Sequence, residues 1–193
     1  MGILADIRLL VRVTHSHRIA RRYFVVNGFD GALAMLGLNM GFHVSGGVPV
    51  SAAVGACTGT AIALGMSGLS SGYVSEAAER RRELRDLERA MVTDLEDSVH
   101  GTAARLVPVL IALVNGFAPF AVAMVVSFPL WLGEAGVAMP FEPVPAAIGT
   151  AFVVIFLMGI LLGRISGGFW LWSALRTLAI ATVTSAIIFA VGH

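Results

Sequence analysis

Five apolar stretches divide this chain. They cover residues 23–42, 49–73, 106–132, 145–163 and 169–191, with polar segments between them. At ~1.5 Å per residue, a helix of about 20 residues reaches ~30 Å, the thickness of a bilayer's hydrocarbon core. Each stretch therefore predicts a spanning helix. The pattern as a whole predicts an all-α integral membrane protein with five transmembrane helices and a cytoplasmic helical extension between the second and third. The organisation follows: a basic N-terminal segment over 1–22, two helices within 23–73, a charged segment over 74–105 and three helices within 106–193. Residues 133–144 are rich in Pro and Gly and read as a loop; residues 164–168 read as a tight turn.

Two features refine the helices. Pro108, Pro119 and Pro129 fall inside the third stretch and predict a kink or break there. The pairs Gly37/Gly41, Gly55/Gly59, Gly68/Gly72 and Gly159/Gly163 put small residues four apart, a spacing that lets helices approach closely. Together they predict a tightly packed bundle and leave room for a homodimer.

Composition agrees with a membrane class and excludes several others. The chain is 57% hydrophobic and 13% charged, where a soluble domain is about a quarter charged. Mean hydropathy is +0.85. The one cysteine, Cys57, lies in an apolar run, so no disulfide framework or cysteine metal site is expected. No nucleophile–base pair, phosphate loop or nucleic-acid motif stands out, so neither an enzyme nor a nucleic-acid binder is expected. Residues 1–22 lack the apolar core and small-residue cleavage site of a signal peptide, so no removed signal is expected. All basic residues are Arg. With five crossings they collect on one side, in the N-terminal segment, in 75–105, at Arg164 and near Arg176. The other side receives 43–48, 133–144 and His193, with no Arg. The positive-inside rule then predicts a cell-membrane protein with a cytoplasmic N-terminus and an external C-terminus.

The first stretch carries the chemistry. Asp30 stands in its middle, between Phe29 and Gly31. A carboxylate at mid-membrane costs roughly 2.5–3.5 kcal/mol even on the lenient insertion scale, and such groups mark ion or proton paths. Asp30 is the first candidate ligand, and Asn27, one turn earlier, is a candidate for the same path or for a bond to a neighbouring helix. Asn115 is expected to bond across helices. His15 and His17 in the basic arm, and His43 at the far end of the first stretch, are secondary candidates for contact with metal or protons.

The charged segment is the second element of interest. Glu76, Glu79 and Glu83 share one helix face, with Leu84, Leu87, Met91 and Leu95 on another. Two readings stand: a solvated amphipathic helix with Glu76–Arg80 and Arg82–Asp86 pairs, or a platform that gathers hard or borderline divalent cations.

These residues also resemble a known family. The run Arg22-Tyr23-Phe24-Val25-Val26-Asn27-Gly28-Phe29-Asp30-Gly31 is similar to the first helix of the vacuolar iron transporter family. Ser71-Gly72-Tyr73-Val74-Ser75, leading into Glu76-Ala77-Ala78-Glu79, resembles that family's exit from the second helix. Ser173-Ala174-Leu175-Arg176-Thr177 is similar to its last helix. The resemblance implies a dimeric exporter of cytosolic Fe²⁺, with Mn²⁺ next, coupled to proton entry. It implies that Asp30 and a second-helix Met line the path and that glutamates of the cytoplasmic helix gather metal. Asp30 matches the family's acid. Its Ser-Met pair is represented here by Ser67-Gly68 with Met66 on the other side of the serine. No acid lies between residues 48 and 72, where the family often carries a Glu.

The metal ligands expected are thus Asp30, Met66, Glu76, Glu79 and Glu83. A carboxylate beside a thioether tolerates Fe²⁺ and disfavours Mg²⁺ and Ca²⁺, which prefer oxygen alone. The partners expected are a divalent metal ion, protons, the lipid bilayer and a second copy of the chain, with no resident cofactor. The alternative is a membrane scaffold or regulator that keeps the fold without transport.

Overall fold

A computed structural model describes residues 16–192, with side chains from Ala20 onward. Five helices follow one another: α1 (Ser16–Ser45), α2 (Val50–Met91), α3 (Val99–Glu134), α4 (Pro143–Ser166) and α5 (Trp170–Val191). No strand occurs among the described residues. Four of the helices, α2 to α5, are long and apolar enough to cross a membrane. The first helix, α1, is not among them; it carries Asn27, Asp30 and Asn39 along its length. Most of the basic segment 1–22, including Arg8, Arg12 and His15, lies outside the described residues, as do the side chains of His17 and Arg18 and the whole of His193.

The helix ends follow local chemistry. α1 stops at a pair of glycines, Gly46 and Gly47, with φ of 62° and 64°, a region that glycine enters without strain. Ser98 caps α3: its Oγ accepts hydrogen bonds from the backbone N–H of His100 and Gly101 at 3.1 and 3.3 Å. Pro143 opens α4, where a missing N–H costs nothing.

Two expectations about helix continuity resolve differently. The charged segment does continue out of the second stretch, since α2 runs unbroken for 42 residues. At ~1.5 Å per residue that is about 63 Å, roughly twice a hydrocarbon core, so its C-terminal half projects past one core's length, alongside the start of α3. α3, by contrast, passes through Pro108, Pro119 and Pro129 as one helix. The expected break is absent. Each proline removes one backbone donor and leaves the remaining ladder in place. Neighbouring helices also brace the sites: a Cβ on Gly31 of α1 would lie 2.7 Å from the Pro119 carbonyl oxygen.

α3 is the centre of the fold and packs against α1, α2 and α4, while α5 rests mainly on α4. Its contact with α2 is backbone to backbone. A Cβ on Gly68 would meet the Asn115 carbonyl oxygen at 2.5 Å, and one on Gly116 would meet the Gly65 carbonyl oxygen at 2.5 Å. Gly159 and Gly163 of α4 play the same part against Ala174 and Trp170 of α5. The fully buried side chains include Met35, Leu36, Cys57, Ile111, Leu130 and Ile155.

The Gly55/Gly59 pair behaves otherwise. Nothing lies within 4 Å of a Cβ built at either position. With Ala52, Ala56, Ala63 and Met66 these glycines form a stripe on the outer surface of α2.

This packing makes a direct prediction. Gly68→Val should destabilise the chain by about 1–3 kcal/mol, because α2 and α3 must separate. Gly149→Ala, on the open side of α4 with nothing within 4 Å, should be neutral or stabilising by up to ~1 kcal/mol through helix propensity. Reversible unfolding in mixed detergent micelles checks both.

Candidate functional site

The polar residues of α1 take three different positions. Asn27 faces inward. Its Nδ2 donates to the Tyr23 carbonyl at 2.8 Å and to Oδ1 of Asn115 on α3. Asn115 in turn donates from its own Nδ2 to the Gly68 carbonyl of α2 at 2.7 Å. One side-chain pair therefore ties three helices together at a single level, and Asn115 makes the bond across helices expected of it. The seat is tight, since a Cβ on Gly72 would lie 2.9 Å from the Asn115 amide nitrogen.

Asn39, about two and a half turns beyond Asp30, is fully buried. It donates to the Met35 carbonyl at 2.8 Å and approaches the Cys57 sulfur of α2 at 3.9 Å. Its Oδ1 has no hydrogen-bond partner among the described residues.

Asp30 faces outward. It is exposed on the single chain and has no hydrogen bond or ion pair among the described residues. Met66, on α2, is also on the outside, 58% exposed. Their heights can be compared through α3. Gly31, next to Asp30, rests against Pro119, and Gly65, next to Met66, rests against Gly116 and Phe120. These contacts lie within about one turn of α3. Asp30 and Met66 thus stand at one level of the bundle.

The glutamates of the projecting half of α2 are arranged differently from a free carboxylate platform. Arg80 sits between two of them, its Nε donating to Glu76 at 2.9 Å and its Nη1 to Glu83 at 2.8 Å. Glu79 is exposed and has no ion-pair partner among the described residues. No group of three His, Cys, Asp or Glu capable of holding a metal ion occurs among the described residues. Within one chain, then, Asp30, Met66, Glu76, Glu79 and Glu83 are not gathered into a single coordination sphere.

The arginines segregate. Arg21 and Arg22 of α1, the projecting half of α2, Arg105 of α3, Arg164 of α4 and Arg176 of α5 lie toward one end of the helices; Glu134, Glu142 and the glycine pair after α1 lie toward the other. Arg176 stacks its guanidinium over the Trp172 ring at 5.2 Å, a contact favoured where aromatic and basic side chains meet a membrane surface.

Comparison with known proteins adds a distant relative. An uncharacterized protein of Methanocaldococcus jannaschii is 26% identical over 148 residues, covering 75% of this chain and 74% of that protein. No protein-family model matches the chain, and no solved structure matches it.

The asparagine pair can be tested by a double-mutant cycle. Asn27→Ala and Asn115→Ala should each destabilise by roughly 1 kcal/mol. The double variant should cost less than the sum, because both remove the same bond.

Proposed function

We propose that this protein is a five-span membrane transporter of divalent metal, of the vacuolar iron transporter type. It moves Fe²⁺, with Mn²⁺ next, out of the cytosol in exchange for protons. The observation that carries this reading is Asp30, the one carboxyl side chain within residues 23–42, at the height of Met66 and without a hydrogen bond or ion pair among the described residues. A carboxylate in that position facing hydrocarbon is costly; facing a wet path it is not. When ionised it binds a cation, and when protonated it releases one, which is the minimum needed for exchange.

The same reading accounts for the outer stripe on α2. Small residues with open space above them allow a second helix to come close. A homodimer joined there places the outward-facing side chains of α2 against those of a second copy and removes them from lipid. α1 completes the membrane region as the fifth span, its polar residues directed at the bundle or at the path. The arginine-rich end is cytoplasmic, as is the projecting half of α2, and the C-terminus is external.

A second reading, a scaffold or regulator without transport, draws on one specific observation. Arg80 already pairs with both Glu76 and Glu83, two of the carboxylates that would otherwise collect metal.

Flux measurements separate the two. In liposomes with an imposed pH gradient, acid on the external side, wild-type protein should carry Fe²⁺ and Mn²⁺. Asp30→Asn should lower the rate by about tenfold or more, as loss of a metal-site contact does. Well-folded protein carrying neither metal would favour the scaffold. On the cytoplasmic helix, Arg80→Gln should tighten Mn²⁺ binding several-fold in calorimetric titration, because it frees two carboxylates. Unchanged binding would remove Glu76 and Glu83 from the metal route.

A further inference from the structure

A cleft of about 480 Å³ opens where the projecting half of α2 leaves the bundle and passes the start of α3. That volume falls within the ~300–1,000 Å³ of ordinary ligand clefts. Three guanidiniums line it: Arg81 and Arg85 from α2 and Arg105 from α3. Two carboxylates, Glu88 and Glu96, line it as well. The ion pairs of the described residues all lie elsewhere, at Arg80–Glu76, Arg80–Glu83 and Arg89–Asp86.

The reason is local. Glu88 spends a carboxylate oxygen on the Leu95 backbone N–H at 3.2 Å, helping to turn the chain from α2 towards α3. Arg105 gives one nitrogen to the Glu96 carbonyl at 3.2 Å. Arg81 and Arg85 make no hydrogen bond or ion pair among the described residues. Most of the cleft's guanidinium donors therefore have no partner among the described residues. Its wall beyond them is apolar, formed by Tyr73, Leu84 and Pro108.

We propose that this cleft binds a phosphate ester. Arginine's planar fork matches phosphate oxygens, three guanidiniums outnumber the two carboxylates, and the adjoining apolar wall suits a ligand with a greasy end. The shared chemistry is a phosphoryl anion, supplied either by the headgroup of an anionic lipid at the arginine-rich membrane surface or by a soluble phosphate compound. Basic pockets at such surfaces hold anionic headgroups. The lipid source rests on the membrane reading above but not on metal transport.

The test is native mass spectrometry of the whole chain in detergent, titrated with phosphatidylglycerol or with phosphatidylcholine of the same acyl chains. Arg81→Gln/Arg85→Gln should bind phosphatidylglycerol about tenfold or more weakly than wild type, as loss of charge-assisted bonds predicts. Arg82→Gln/Arg164→Gln, which removes two arginines of the same end outside the cleft, should bind as wild type does. The single variant Arg85→Gln, with circular dichroism to confirm helix content, guards against a folding defect in the double. Competition by millimolar inorganic phosphate assigns the site to a soluble ligand; resistance to it assigns the site to the headgroup. Equal phosphatidylglycerol affinity in the cleft variant and wild type overturns the proposal. Equal losses in the cleft and control variants overturn it too, since they indicate diffuse surface charge. Metal flux is unaffected by the outcome, so failure here and failure of the transport reading are separable.

Discussion

The close approach of α2 to α3 governs the rest of the bundle. In lipid, apolar side chains gain little by meeting each other, so helices associate through packing and a few hydrogen bonds. Here the packing comes from Gly65, Gly68 and Gly72 meeting Gly116, Ala112 and the Asn115 backbone. With α2 seated this tightly, the Gly68 carbonyl comes within reach of the Asn115 side chain, whose other end meets Asn27 of α1. One glycine-lined contact thus sets the positions of three helices. α4 and α5 repeat the device at Gly159 and Gly163 with Thr177, Ala174 and Trp170.

That arrangement decides which polar groups are satisfied and which are not. Asn27 and Asn115 satisfy each other, so the inner face of α1 is structural at that level. Asp30, three residues on, is turned away from them and has no hydrogen bond or ion pair among the described residues. A fold that lies across a membrane does not hold a carboxylate against hydrocarbon without cost. If α1 spans a membrane, that carboxylate has to meet water, a cation or a second copy, or be neutralised by a proton. Met66 stands exposed at the same height, on the open small-residue stripe of α2.

Much of this was legible from residue order. Five helices, the polar connections at 133–144 and 164–168, the continuation of α2 into the charged segment and the cross-helix role of Asn115 all follow from apolar length and from the cost of an unpaired amide. The direction of each glycine pair was not legible. Gly68/Gly72 and Gly55/Gly59 share one spacing on one helix, yet the first pair touches α3 and the second touches nothing. Spacing identifies a face; only the partner's position says whether it is covered. Arg80 is a second case. Its i−4 pair with Glu76 is a sequence pattern, but its simultaneous hold on Glu83 depends on a rotamer. The continuity of α3 is a third: at Pro119 it is held against Gly31, a neighbour distant in sequence.

A cation path through α1 requires that Asp30 face water or a cation within the membrane. Cysteine accessibility measures that directly. In a Cys57→Ser background, Asp30→Cys in native membranes should react readily with a small hydrophilic thiol reagent, and Mn²⁺ should slow the reaction. Leu157→Cys, at an exposed apolar position of α4, should stay inert. If Asp30→Cys is as inert as Leu157→Cys, residue 30 lies against lipid, and the claim that it belongs to a cation path is contradicted.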